Sequence, residues 1–233
     1  MNDSPKDVYN LRSFEYLIYD AVHLLYLADD EGVEQGEGGY GPTYTRTSIL
    51  NTLLLFECAA NCCIDALNLP GGFEEDIDRL PFLSKYEFFL SCINPAAKFD
   101  RGCKEVQVVA ELKAVRDSYV HPKVKKRKYS KADDFWSPDF GHTTILKIPR
   151  NPTRWETSHA MLALKSANDF FNLFFLSWCK FDTNRVCEIL LSSDPAGIPA
   201  TASIGIYCIE GLTRAVRDYG IDFLFIGKVV RRS

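Results

Sequence analysis

Arg116, Asp117 and His121 lie close together in the stretch ELKAVRDSYVHPK, and their side chains could act on a phosphodiester. An arginine offers a planar fork of donors to a phosphate and stabilises negative charge as it develops. An imidazole can give or take a proton near neutral pH, and a neighbouring carboxylate can fix its orientation. Because the 2′-hydroxyl of RNA is itself the nucleophile, arginine and histidine could together support transesterification without a metal ion.

The spacing of these residues fits a cleft at the end of a helix. Asp117 and His121 are four residues apart, so they share one helix face. Arg116 precedes His121 by five residues, a spacing that is not aligned on an ideal helix. Pro122 forces the chain out of the helix at His121, which would let the imidazole turn toward the arginine.

An ordinary helix end explains the same residues equally simply. Cations near a helix C-terminus interact favourably with its dipole, and an aspartate there can pair with any neighbouring base. The segment RWETSH repeats the arginine-to-histidine spacing at Arg154 and His159, with a tryptophan in place of the aspartate. Spacing alone therefore does not specify a catalytic site.

Glu57 and Asn61 lie four residues apart on an otherwise apolar segment. A carboxylate in such a place needs a partner, because an unpaired buried charge is costly. We expect Arg116 to be the partner of Glu57. The two residues could shape the cleft around Arg116, or they could only tie two helices together.

A basic run follows the candidate site directly. Its segment KVKKRKYSK has six basic residues in nine positions, and without them the net charge of −4 becomes −10 for the rest of the chain. RNA phosphates would need such a track next to His121, although a solvated loop or a docking surface for an acidic partner would have the same composition. The candidate RNA-binding residues are Lys123, Lys125, Lys126, Arg127 and Lys128.

The elements that would position these residues are mainly helices. Apolar residues at steps of three and four predict helices over residues 8–28, 45–68, 80–94, 104–120 and 156–180. The second of these is apolar nearly all round, which predicts the centre of a bundle. Residues 29–43 are predicted as a loop. The sequence Pro70-Gly71-Gly72 is predicted to end the second helix. The fold class is therefore all-α, with a four- to five-helix up-and-down bundle.

Two regions fall outside this bundle. Residues 123–155 are predicted as a basic, irregular insertion, with TTILKI as one strand of a small β-hairpin. Residues 182–233 are predicted as a C-terminal extension with two further helices and a strand at DFLFIGKVV. The domain division is therefore 1–181 for the helical bundle, including the insertion, and 182–233 for the extension.

Composition bounds the function further. The chain of 233 residues is 46% hydrophobic and 25% charged, as in ordinary globular proteins, and its pI of about 5.6 excludes a protein that coats nucleic acid over its whole surface. With no signal-peptide pattern and with apolar runs too short to span a bilayer, we expect a cytoplasmic protein without a membrane partner. We expect thiols at the cysteines within apolar helices (Cys58, Cys62, Cys63, Cys179 and Cys208), and neither a metal site nor a cofactor.

Residues 8–180 resemble the HEPN superfamily of all-α domains. The hallmark of that superfamily is an arginine, a polar residue, three further residues and a histidine, which Arg116, Asp117 and His121 match in full. FECAANCCIDAL, with Glu57 and Asn61, resembles the second helix of such proteins, and LSKYEFFLSCI resembles their third. The resemblance does not extend to residues 123–155 or 182–233.

The resemblance implies a function in two forms. Active HEPN members are metal-independent endoribonucleases, commonly homodimers, and many are toxins or antiviral defence effectors paired with an antitoxin protein. On that reading, His121 transfers the proton, Arg116 clamps the phosphate and Asp117 orients the imidazole. Other members keep the fold without nuclease activity, so the alternative is a catalytically inactive dimeric binding or regulatory module.

Overall fold

A computed structural model of the chain describes residues 12–34, 39–121, 129–132, 135–138, 140–191 and 209–227. These ranges form an all-α fold with one small hairpin, so the predicted fold class is confirmed. The α-helices are α1 (Phe14–Glu34), α2 (Gly41–Asp65), α3 (Gly71–Asp78), α4 (Phe82–Ile93), α5 (Lys104–Val120), α6 (Thr157–Phe171), α7 (Thr183–Leu190) and α8 (Ile209–Tyr219). A π-helix (Asn172–Trp178) continues α6, and short 3-10 helices lie at Pro152–Arg154 and Leu224–Ile226.

Helix α2 lies at the centre of the bundle, as its nearly continuous apolar surface predicts. It contacts α1, α4, α5, α6 and α7. Arg12, just before α1, pairs with Asp65 at the end of α2 at 3.0 Å, whereas Ser48 near the start of α2 donates to the carbonyl of Ala21 at 2.7 Å. These two contacts show that α1 and α2 run antiparallel.

Aromatic rings from several helices fill the core. The ring of Phe56 on α2 packs edge-on against Phe170 on α6, with centroids 5.7 Å apart. Tyr86 on α4 packs against Phe174 in the π-helix at 4.7 Å, and its buried hydroxyl donates to the carbonyl of Phe56 at 2.7 Å. Each buried ring removes a large apolar area from water, and the tyrosine hydroxyl keeps a hydrogen-bond partner.

The helix boundaries differ from the predicted ones around the first loop and after α2. Helix α1 runs on to Glu34 and α2 begins at Gly41, so most of the loop predicted over 29–43 is helical. Helix α2 ends before Pro70, as predicted, but a further helix that was not predicted, α3, begins at Gly71. Pro70 has the φ of −56° that proline fixes, and the next turn starts from that preset backbone.

The predicted strand TTILKI is wrong. The backbone amides of Thr144, Ile145 and Leu146 all donate to the carboxylate of Glu111 on α5, at 2.7, 2.7 and 3.2 Å. Because a side chain takes these donors, residues 144–146 form bends, and the segment turns back on itself, with the Thr143 amide donating to the Ile148 carbonyl at 2.9 Å and a single antiparallel bridge between His142 and Pro149. The hairpin of the insertion lies earlier in the chain, where β1 (Tyr129–Ala132) pairs antiparallel with β2 (Phe135–Pro138).

The predicted strand DFLFIGKVV is also wrong over its described part, residues 222–227. The backbone amides of Phe223 and Phe225 donate to the side-chain oxygens of Asn168 and Asn172, at 2.8 and 2.9 Å. Asp222 accepts from the amide nitrogens of the same two asparagines, at 3.1 and 2.9 Å. This exchange holds the segment against α6 and the π-helix, so the described parts of the C-terminal extension share the core of the bundle.

The sequence also led to expectations about membrane-spanning segments and about the thiols of the buried cysteines. The expectation that no apolar run is long enough to span a bilayer is wrong for α2, which among the described residues is long and apolar enough to do so, with 61% of its most apolar window buried inside the fold. The thiols of Cys62, Cys63 and Cys179 are free and buried, and that of Cys58 is free and half-buried. Cys208 lies outside the described residues.

Candidate functional site

The candidate site lies where α5 ends. Helix α5 ends at Val120, and His121 leaves the helical conformation with a φ of −117° and a ψ of 64°. The backbone amide of His121 still donates to the carbonyl of Asp117 at 3.1 Å, which closes the last turn. The chain therefore leaves the helix at the residue that the following proline predicts, although Pro122 itself lies outside the described residues.

Arg116 is held by a carboxylate from the central helix. Its Nη1 forms an ion pair and a hydrogen bond with Oε2 of Glu57 on α2, which is the partner expected from the sequence. The Arg116 side chain is 20% exposed and the Glu57 side chain 46% exposed, so the glutamate is the more open to solvent of the two. Partial burial lowers the pKa of Arg116, but Glu57 and then Asp117 raise it to a net value above the ordinary one.

Asp117 binds two cations. Its Oδ1 accepts a hydrogen bond from Nε of Arg116 at 3.2 Å and lies 3.1 Å from Nη2, and its Oδ2 lies 2.5 Å from Nζ of Lys113. Partial burial raises the pKa of Asp117, but Lys113 and then Arg116 lower it, so that the net pKa lies below the usual aspartate value. Four side chains of alternating charge therefore form one row, from Glu57 through Arg116 and Asp117 to Lys113.

His121 lies beside this row and is exposed. In the part of the chain that the structure describes, its imidazole forms no hydrogen bond or ion pair with Arg116 or Asp117. Both oxygens of Asp117 are engaged by Lys113 and Arg116, which explains why the expected orienting contact from Asp117 to the imidazole is not seen here. The site thus has an arginine held by two carboxylates, with an exposed imidazole about one helical turn further along the chain.

Asn61 binds Lys85, whereas the sequence analysis considered a place for it beside Arg116. Its Oδ1 accepts from Nζ of Lys85 on α4 at 2.8 Å, and the same ammonium lies 2.7 Å from Oδ1 of Asp78 at the end of α3. Lys85 is only 4% exposed, so this ammonium depends on its two partners. Asn61 therefore joins α2 to α4, which matches the alternative of a residue that ties two helices together.

The segment with the same arginine-to-histidine spacing, Arg154 to His159, has a structural explanation. Nδ1 of His159 accepts the backbone amide of Glu156 at 2.9 Å, and the Glu156 side chain accepts from the amide of His159 in return. This reciprocal pair is a capping box at the start of α6. The contrast with His121 is that His159 closes a helix end, whereas His121 projects from one.

The remaining sequence expectations fall partly outside the described residues. Lys123, Lys125, Lys126, Arg127 and Lys128 all lie in the undescribed segment 122–128. Among the described residues, no group of three His, Cys, Asp or Glu side chains is placed to hold a metal ion.

A cleft of about 210 Å³ lies between the first turn of α5 and the middle and last part of α6, lined among others by Lys104, Val108 and Lys165. Because a helix rises about 1.5 Å per residue, this cleft is about 25 Å along α5 from His121. It is therefore separate from the candidate site.

Three residues that the sequence analysis did not single out complete the surroundings of the site. Lys113 precedes Asp117 by four residues, and this spacing is the signal that could have identified it. Glu111, on the same helix, binds the backbone of the insertion, and Lys85 binds Asn61. Neither of the last two contacts leaves a local signal, because in each the two partners are more than twenty residues apart in the sequence.

Comparison of the chain with protein-family models, with curated proteins and with solved structures finds no match.

Proposed function

We propose that this protein is an HEPN-like, metal-independent endoribonuclease that cleaves RNA through its 2′-hydroxyl. The observation that carries the proposal is the arrangement at the end of α5. Arg116 is fixed by Glu57 and Asp117, and the exposed His121 follows at the next turn, where the chain leaves the helix. An anchored guanidinium and an exposed imidazole can supply charge stabilisation and proton transfer, the two roles that catalyse phosphodiester transesterification.

In this mechanism His121 removes the proton from a 2′-hydroxyl, and the 2′-oxygen attacks the adjacent phosphorus. The bond from phosphorus to the 2′-oxygen forms as the bond to the 5′-oxygen breaks, which leaves a 2′,3′-cyclic phosphate. The departing 5′-oxygen takes a proton from water or from the histidine of a second copy in a homodimer. Arg116 stabilises the negative charge that develops on the phosphoryl oxygens.

We also propose the partners that the resemblance to HEPN proteins implies. A homodimer would bring two arginine–histidine pairs together, and the basic run after His121 would provide a track for RNA phosphates. A toxin or defence effector of this kind would be held inactive by an antitoxin protein.

A second function, a catalytically inactive binding or regulatory module of the same fold, is favoured by one specific observation. Nε and Nη1 of Arg116 already donate to Asp117 and Glu57, and its third nitrogen, Nη2, lies 3.1 Å from Asp117. The row of four charged side chains also sums to zero, so the isolated site has no excess positive charge for a phosphate. A site in this state could serve only to join helices.

The deciding experiment is an RNA cleavage assay with purified protein in excess EDTA. It compares the wild type with Arg116→Ala and His121→Ala on structured and unstructured RNAs. His23→Ala on α1 and Arg79→Ala at the end of α3 are matched controls, because both residues are exposed and remote in sequence from the site.

The proposal predicts that the wild type and both controls cut RNA and leave 2′,3′-cyclic phosphate ends. The cleavage rate of the two site variants should fall at least about a hundredfold, because a proton-transfer residue contributes a factor of roughly 10² or more. No cutting by any of the proteins would support the inactive module. Equal cutting by all of them would place the activity elsewhere or in a contaminant.

A further inference from the structure

Lys113 lies one helical turn before Asp117 on α5 and binds its carboxylate. Its ammonium is 2.5 Å from Oδ2 of Asp117, while Oδ1 of the same carboxylate is held by Arg116 at 3.1 and 3.2 Å. Asp117 is therefore shared between two cations rather than committed to one. Lys113 and Asp117 are 37% and 36% exposed, so solvent and an incoming ligand can both reach the pair.

The way that Asp117 binds Arg116 creates a problem for phosphate binding. Asp117 occupies Nε and Nη2, which form the edge of the guanidinium that binds an oxyanion with two parallel hydrogen bonds. Glu57 occupies Nη1. A phosphodiester can use the bidentate edge only if the Asp117 carboxylate moves off it.

Lys113 gives Asp117 a second partner, so the carboxylate can leave Arg116 and remain paired. A carboxylate displaced from Arg116 stays paired with the ammonium of Lys113, so it is not left as an uncompensated negative charge beside the phosphate. The row of Glu57, Arg116, Asp117 and Lys113 has two positive and two negative charges, and removal of Lys113 leaves it with one net negative charge. That charge would repel RNA and would hold Asp117 on Arg116.

We propose that Lys113 is a positioning residue of the site, which holds and neutralises Asp117 so that Arg116 can present its bidentate edge to an RNA phosphate. The inference rests on the proposed function. Lys113 lies eight residues before His121, about 12 Å along the helix, which is too far to bind the same phosphate as the imidazole. Its effect on RNA therefore passes through Asp117.

This route through Asp117 gives the test its design. Cleavage of an unstructured RNA is measured for Lys113→Ala, Lys113→Arg, Asp117→Asn and the double variant Lys113→Ala/Asp117→Asn. Binding is measured in parallel with the same sequence carrying 2′-O-methyl groups, which no 2′-hydroxyl mechanism can cut. Lys104→Ala is the matched control, because it removes the same charge from the other end of the same helix.

We expect Lys113→Ala to reduce both cleavage and binding about two- to fivefold, the range for a partly exposed charge contact. Lys113→Arg and Lys104→Ala should behave as the wild type. In the Asp117→Asn background Lys113 has no carboxylate to hold, so its further loss should lower cleavage and binding clearly less than it does in the wild type. Thermal melting of each variant checks that the fold is retained.

Two outcomes would overturn the inference on its own. Wild-type behaviour of Lys113→Ala would show that the lysine has no role, and an equal loss in the Asp117→Asn background would show that Lys113 contacts RNA directly. If the wild type binds the RNA but cuts none, the proposed cleavage fails while the binding data still judge Lys113. If the wild type neither binds nor cuts RNA, both proposals fail.

Discussion

The guanidinium of Arg116 on α5 is ion-paired with the carboxylate of Glu57 on α2, and so links the candidate site to the central helix of the bundle. The contact joins residues that are far apart in the sequence, and it fixes the arginine from the side opposite Asp117. The pair therefore has two consequences that can be measured separately, one for stability and one for the chemistry proposed at Arg116.

The stability of the Glu57–Arg116 pair can be measured by a double-mutant cycle. We expect Glu57→Ala, Arg116→Ala and the double variant to show a favourable coupling energy of about 1 kcal/mol in the free energy of unfolding. The value is modest because Glu57 is nearly half exposed, and solvent screens its charge. Urea unfolding of the four proteins gives the coupling, and a coupling energy of zero would mean that the pair contributes nothing to stability.

The lowered pKa of Asp117 makes a pH-dependent contribution to stability. Because the folded-state pKa lies below the unfolded-state value, ionised Asp117 stabilises the fold above the ordinary aspartate pKa of about 4. This contribution is lost as the pH falls through the lower pKa of the folded state. The wild type should therefore exceed Asp117→Asn in stability at neutral pH, and the difference should shrink as the solution is acidified below about pH 4.

Urea unfolding from neutral pH to about pH 3 measures that difference directly. Asp20→Asn, an exposed aspartate on α1, is the control for a general effect of removing one carboxylate. A difference between wild type and Asp117→Asn that stays constant across the acidic range would contradict the ion pairing of Asp117 with Lys113 and Arg116.

Glu111 should control the order of the insertion. Its carboxylate accepts the amides of Thr144, Ile145 and Leu146, so Glu111→Ala would leave three donors without their partner. We expect a loss of about 2 kcal/mol in unfolding free energy and faster hydrogen exchange at these three amides. Glu75→Ala, an exposed glutamate on α3, should change neither quantity. Unchanged exchange in Glu111→Ala would show that the carboxylate does not hold the segment.

Asn168 should anchor the last described segment of the chain. The residue is 3% exposed and bonds to both Phe223 and Asp222, so Asn168→Ala removes partners from a buried backbone amide. We expect a loss of about 2–3 kcal/mol in unfolding free energy and loss of hydrogen-exchange protection at Phe223.

Ser166→Ala is the matched control for Asn168→Ala, because the Ser166 hydroxyl bonds only within its own helix, to the carbonyl of Leu162. Equal stability changes in Asn168→Ala and Ser166→Ala would argue against the anchor.

The helices were largely predictable because their signals are local. The three- and four-residue period of apolar side chains predicts α1, α2, α4, α5 and α6, and the end of α5 at Val120 follows from the proline two residues later. The strands were not predictable in this way. Short apolar runs such as TTILKI fit either a strand or a bound loop, and the choice depends on which group accepts their backbone amides.

Within the candidate site too, local sequence predicts the place of some residues, whereas tertiary packing decides the partners of others. The sequence alone places Arg116, Asp117 and His121 at one helix end, since helix geometry and Pro122 act over a few residues, and it predicts that Glu57 needs a cationic partner. Only the tertiary structure assigns Asn61 to Lys85, divides Asp117 between Arg116 and Lys113, and sets Glu111 against the insertion. These pairings depend on which helices pack side by side, and that packing is decided by the whole apolar core.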